Sequence, residues 1–291
     1  MHTTEARLLP VARGFSLAQT CGPVAWARGR SPRHDWIDGG LIVVESRDGR
    51  VTWRRVTQPG PGCLHITSND VSEPDEAWAR RVLRVDIALP AFADPVVAAL
   101  AARFRGLRPY ADGSLFDGIV TSIIGQSVSV ISAAAAQHKL AAAFAPPVEI
   151  AGRAFHPLPD AAQLADAPVE LIRASGVTWK RAEAIRHAAR AQVNGELPDD
   201  AAASDAPVET MRALLDLPLV GRWTAESALL WGVGAPDAHP TGDIALLRAA
   251  RAAYGRPEMT LRELDALSEA WRPARSIAAR LLWTDLLGVA P

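Results

Sequence analysis

LLDLPLVGRWTAESALLWGVGAPDAHPTGD, residues 214–243, holds the end of one helix, a tight turn, a second helix and a lone acid. An apolar helix, Met211 to Leu217, runs into the turn Pro218-Leu219-Val220-Gly221-Arg222, and a second helix starts near Trp223-Thr224-Ala225. A loop with Pro236 and Pro240 follows, and then Asp243 stands at the head of another apolar helix. Two short helices around a Gly-containing hairpin leave the first backbone N–H groups of the second helix without partners. Such a helix start is a ready anion site. A nearby carboxylate with no metal-ligand companions suggests chemistry on whatever carries the anion, and DNA is the simplest carrier.

Composition narrows the field. The chain has 291 residues, 49% of them hydrophobic, so a large core is expected and disorder is not. The formal net charge of −1 argues against a basic coat that binds nucleic acid indiscriminately. It leaves room for a local contact through main-chain amides, which no charge count records. Cys21 and Cys63 match no metal or redox spacing, so neither a disulfide scaffold nor an iron–sulfur cluster is expected. No leader-like segment and no membrane-length apolar run is evident, and the reading is a cytoplasmic protein without membrane contact.

Residues 1–90 differ in texture from the rest. LIVVE (Leu41 to Glu45) and VTWRRV (Val51 to Val56) are β-rich runs joined across Asp48-Gly49, a two-residue hairpin signal. Cys63 to Thr67 alternates like a third strand. Ser72 to Val85 reads as a helix, with Ser72 as cap and Pro74 in the first turn. These residues are expected to form a small α+β N-terminal domain. Residues 91–291 are alanine-rich, with apolar positions at helical spacing in nine segments from Val96–Phe104 to Ser276–Leu287. They are expected to form an all-α body carrying the active-site cleft, so the fold class is mainly α.

Each chemical reading has a plain structural one beside it. Asp243, after Pro240-Thr241-Gly242, is on its own most simply a helix N-cap. The hairpin, on its own, is an ordinary helix–turn–helix joint; Arg222 and Thr224 would add donors to phosphate. Nine tryptophans against two tyrosines mostly fill core, yet Trp223 and Trp283 are also suited to hold a cation or a stacked base. In Phe116 to Ala136, Gly125-Gln126-Ser127 breaks an apolar helix pattern, as a kink or as a tip that reaches toward an extruded base.

Taken in order, Phe116…Ile124-Gly125-Gln126-Ser127-Val128-Ser129, Gly176-Val177…Lys180-Arg181-Ala182, Leu217 to Ala225 and Asp237-Ala238-His239-Pro240…Asp243 resemble the helix-hairpin-helix superfamily of DNA glycosylases. The branch most resembled is the 3-methyladenine DNA glycosylase II type. Trp271-Arg272-Pro273-Ala274-Arg275-Ser276…Trp283 is similar to that branch's closing helix, and Phe15-Ser16-Leu17 with Trp26 to its opening domain.

The resemblance implies a monofunctional glycosylase of base excision repair that removes alkylated purines of the 3-methyladenine and 7-methylguanine class from damaged double-stranded DNA. It implies Asp243 as the essential catalytic aspartate and Trp223 and Trp283 as base-binding residues. Gln126, Ser127, Leu219, Val220, Gly221, Arg222 and Thr224 would be the DNA contacts. No cofactor is implied beyond an alkali-metal ion at the hairpin carbonyls. Trp223 stands where strand-cutting members have a lysine, so no lyase activity is expected. Three positions depart from the family pattern: Leu219 replaces a glycine, Ser127 is small where some relatives insert a wedge, and Gly242 replaces a second acid. Two other readings stand beside this one. One is a glycosylase for oxidised or deaminated bases; the other is a non-catalytic damaged-DNA-binding module. A monomer is expected, since one hairpin needs no two-fold partner.

Overall fold

A computed structural model of the chain describes residues 7–22, 29–47, 49–69 and 72–288. Trp26 and Asp48 lie outside the described residues. The first layer is a five-stranded antiparallel sheet of β1 (Arg7–Pro10), β2 (His34–Ile37), β3 (Gly40–Arg47), β4 (Arg50–Gly60) and β5 (Cys63–Ser68), in the order β1-β5-β4-β3-β2. A short helix α1 (Leu17–Thr20) follows β1. β3 and β4 pair from Gly40↔Thr57 to Arg47↔Arg50, and Gly49 sits between them at φ 72°. The unbroken apolar run of β3 is explained by burial on both faces. Leu41 and Val43 point into one core with Phe15, Leu17, Trp78 and Tyr110, while Ile42 and Val44 meet Ile150 and Phe155 on the other side.

The helix expected over Ser72 to Val85 is shorter. It begins as α2 (Asp75–Trp78) with Pro74 as its cap residue and widens into a π turn over Ala79–Leu83. Pro74 is extended at ψ 138°, so the chain enters the helix after it and Ser72 is left outside.

Helices follow: α3 (Pro95–Arg103), α4 (Leu115–Gly125), α5 (Val130–Phe144), α6 (Ala161–Asp166), α7 (Val169–Arg173), α8 (Trp179–Val193), α9 (Asp200–Asp205), α10 (Pro207–Leu215), α11 (Arg222–Gly232), α12 (Ile244–Tyr254), α13 (Leu261–Ser268) and α14 (Arg275–Leu286). They share one apolar core. Two expectations need correction. The body is not all-α: β6 (Val148–Ile150) and β7 (Arg153–Phe155) form a two-stranded ribbon whose Ile150 and Phe155 cover the outer face of the sheet. The segment Phe116 to Ala136 is not one kinked helix. It breaks over residues 126–129, where Ser127 takes φ 52° and Ser129 caps α5 through its hydroxyl.

Two constraints place α4. At its start, buried Arg33 reaches from beside β2 and pairs with Asp112 at 2.8 Å and with Asp117 at 3.1 Å. Along its length, α4 crosses α11 antiparallel with only glycine between the backbones. A β carbon on Gly118 would lie 2.7 Å from the Ala228 carbonyl, and one on Gly232 would lie 2.5 Å from that of Ser114. No side chain fits there.

Gly232→Ala should therefore lower stability by about 1–3 kcal/mol through overpacking, read from urea melts. Asp112 generates a second expectation. Burial by itself would raise its carboxyl; Arg33, then His34, outweigh burial and hold it well below the usual carboxylate range. Such a carboxyl contributes stability above its unfolded pKa of about 3.9 and loses that contribution as pH falls. Asp112→Asn should therefore flatten the loss of stability between roughly pH 4 and pH 2, measured as melts at both ends of that window.

Candidate active site at the hairpin and Asp243

The turn between α10 and α11 is closed by Val220 N–H donating to the Leu217 carbonyl at 3.2 Å. Leu219 takes φ 61°, the left-handed conformation that a glycine would adopt without strain. Its side chain is exposed. Val220, by contrast, is buried and its amide is spent inside the turn. Gly221 is the N-cap of α11 and has no side chain to accept from the first helical amides. The donors presented by the hairpin are therefore those of Gly221 and of the first turn, Arg222 to Thr224.

Gln126 ties this hairpin to the break after α4. Its amide donates to the Leu219 carbonyl at 2.7 Å and to Thr224 Oγ1 at 2.9 Å. Its own carbonyl accepts from Arg181 near the start of α8. Thr224 is thus buried as a bracket for Gln126 rather than displayed, while Ser127 and Arg222 are exposed.

Asp243 is the N-cap of α12, and its second oxygen is held by Trp223. Oδ1 caps α12 by accepting from Leu246 N–H at 2.7 Å, and Oδ2 accepts from Trp223 Nε1 at 3.0 Å. The carboxylate is half-buried, not sealed in the interior. The Trp223 ring lies over the end of α4, 3.8 Å from where a β carbon of Gly125 would stand. Tip, hairpin with its indole, and acid are thereby brought together from three separate segments.

Trp283 is placed differently. Its ring stacks on Trp231, with centroids 5.3 Å apart and planes 20° from parallel. Trp231 lies eight residues beyond Trp223 on α11, about 12 Å along the axis. Behind the stack, the Arg280 guanidinium sits 4.5 Å from the Trp231 centroid and donates to the Tyr110 and Leu230 carbonyls. Burial pushes Arg280 down to about 9.

The sequence reading missed Glu226. This buried carboxylate accepts from Thr241 N–H at 3.2 Å and Thr241 Oγ1 at 3.3 Å, and pairs with Arg222 at 3.2 Å. It fastens the loop that delivers Asp243 to the helix that carries the hairpin. Its only sequence signal is an acid at an otherwise apolar helical position. No group of three or more His, Cys, Asp or Glu suited to a metal occurs among the described residues, and no described helix is long and apolar enough to cross a membrane.

Comparison with known proteins agrees with this architecture. No family model matches the chain. It is 33% identical over 217 residues to the probable bifunctional transcriptional activator/DNA repair enzyme AlkA of Mycobacterium tuberculosis; the match takes in 72% of this chain and 42% of that protein, so the chain spans less than half its length. It is 29% identical over 223 residues to DNA-3-methyladenine glycosylase 2 of Escherichia coli K12, covering 76% of each. The 3-methyladenine DNA-glycosylase structure from Archaeoglobus fulgidus superimposes with a TM-score of 0.77 at 20% identity, covering 97% of this chain and 99% of that one. The chain is thus similar in sequence to DNA-3-methyladenine glycosylases and shares the fold of the Archaeoglobus structure.

Glu226→Ala should cost about 1–3 kcal/mol by stranding the Thr241 amide. Arg222→Ala, which removes the exposed partner, should change stability by less than about 1 kcal/mol. Denaturant melts of the two variants give both numbers.

Proposed function

We propose that this chain removes alkylated purines from duplex DNA by hydrolysing the N-glycosidic bond, with Asp243 as the catalytic carboxylate. The observation that carries the reading is the Asp243–Trp223 hydrogen bond beside the open start of α11. It places an oriented carboxylate next to amides suited to phosphate. The relatives support the substrate class by their names, DNA-3-methyladenine glycosylases from two bacteria. A fission-yeast neighbour, 3-methyladenine DNA glycosylase Mag1, is a complex with abasic DNA.

The chemistry follows from the substrate. A purine alkylated at N3 or N7 is cationic and already a good leaving group, so it needs no general acid. As its bond to C1′ lengthens, positive charge develops on the sugar. Asp243 stabilises that charge and takes a proton from the attacking water. The water oxygen bonds to C1′, the base leaves with the bonding electrons, and an abasic site remains. The first-turn amides of α11 hold the backbone beside the lesion without reading sequence. Trp283, stacked from behind by Trp231, is the wall on which the extruded ring rests; a cationic ring gains about 0.5–2 kcal/mol there. Trp223 keeps the carboxylate aimed and is not a nucleophile, so base removal ends the reaction without strand cleavage.

An alkali-metal ion of the kind the resemblance implies would sit on hairpin carbonyls. Those of Leu217 and Leu219 each accept one hydrogen bond and retain a second lone pair, so the backbone fits such an ion. It would add positive charge beside the phosphate, and no step of base release depends on it.

Asp243→Asn keeps a side chain that can cap α12. It should retain fold and DNA binding while release of free 3-methyladenine from methylated DNA falls by roughly a hundredfold or more. A purified variant that frees base at the parent rate would remove Asp243 from the chemistry.

A further inference from the structure

Trp179 is the one described tryptophan that the fold leaves largely in the open, at 48% exposure. It is the first residue of α8, which Thr178 caps by accepting from Arg181 N–H. The Arg173 guanidinium lies 5.0 Å from its ring centroid. Core packing does not account for a ring of this size at this place.

Two sets of contacts place the start of the helix that carries it. Arg181, two residues on, donates to the Gln126 carbonyl immediately before Ser127. Glu183 and His187, four and eight residues on, line a groove against Pro218 and Leu219 of the hairpin. Residues spaced by four fall on one row of a helix. Trp179 therefore extends that row past the hairpin, at the end of α8 tied to the tip. Ser127 at that tip is exposed, with φ 52° and a side chain that ends at one oxygen. Extruding a nucleotide leaves a hole in the base stack, and a flat apolar side chain closes it far better than a hydroxymethyl group.

We propose that Trp179 stacks into duplex DNA at the gap left by the extruded nucleotide, a task for which Ser127 is too small. The cations Arg173 and Lys180 beside it suit the flanking phosphates, and the row that carries it continues the hairpin face. The inference rests on the base-extrusion reading of the Asp243 site, and its test is separable from that reading.

The probe is a duplex with a tetrahydrofuran abasic analogue and 2-aminopurine opposite it. Wild type should change the 2-aminopurine fluorescence on binding. Trp179→Ala should lose that change and bind the duplex about tenfold more weakly, while binding the single-stranded analogue as wild type does. Trp179→Phe should keep most of the signal, and Ser127→Leu added to Trp179→Ala should restore affinity. Unchanged signal and affinity in Trp179→Ala overturns the proposal, and so does an equal loss on single and double strands. A wild type that binds this duplex but frees no base from methylated DNA defeats the glycosylase reading alone, and the fluorescence still decides on Trp179. Failure of the wild type to bind the duplex overturns both.

Discussion

The crossing of α4 over α11 is the constraint on which the rest of the site depends. Where Gly118 and Gly232 meet the opposing backbone, the two helices approach more closely than any side chain permits. That approach fixes two ends at once. At one end it sets the Trp223 ring against Gly125. At the other it holds Ser114 and the Arg33 ion pairs of the N-terminal sheet against the end of α11. Loosening the crossing would shift hairpin and tip relative to each other, and a misplacement of about 1 Å is enough to cost a catalytic site two orders of magnitude.

Hydrogen bonds then convert this rigid crossing into a defined constellation. Gln126 binds tip to hairpin, Glu226 binds hairpin helix to loop, and Trp223 binds that helix to the acid. Each link joins separate elements of the chain. Asp243 illustrates the economy of the arrangement. Because one oxygen is committed to Leu246, the carboxylate has little rotational freedom left, and the second oxygen points where the indole directs it.

How much of this could be read from the sequence depended on whether its cause was local. The turn at 218–222, the cap at Asp243 and the sheet strands around LIVVE follow from turn chemistry and periodicity, and the structure contains them. Ribbon strands of three residues carry too short a period to register, and β6 and β7 exist because Ile150 and Phe155 find Ile42 and Val44. Sequence leaves the break at 126–129 open between a kink and a tip because apolar spacing resumes after it; the left-handed Ser127 and the Ser129 cap separate the helices. Glu226 was silent because its partner, Thr241, reaches it through tertiary folding. Trp283 could be singled out by resemblance, but its stacking on Trp231 depends on how α14 meets α11.

One helix start differs from three others around the site. α5, α8 and α12 each open on an oxygen of their own, supplied by Ser129, Thr178 and Asp243. α11 opens on Gly221, which has none to give. Its leading amides are left for an oxygen from outside the chain, and a phosphate seated there would be the last piece of the helix as much as a ligand of it. Folding of that turn and grip on the nucleic acid would then be a single event with a shared free energy.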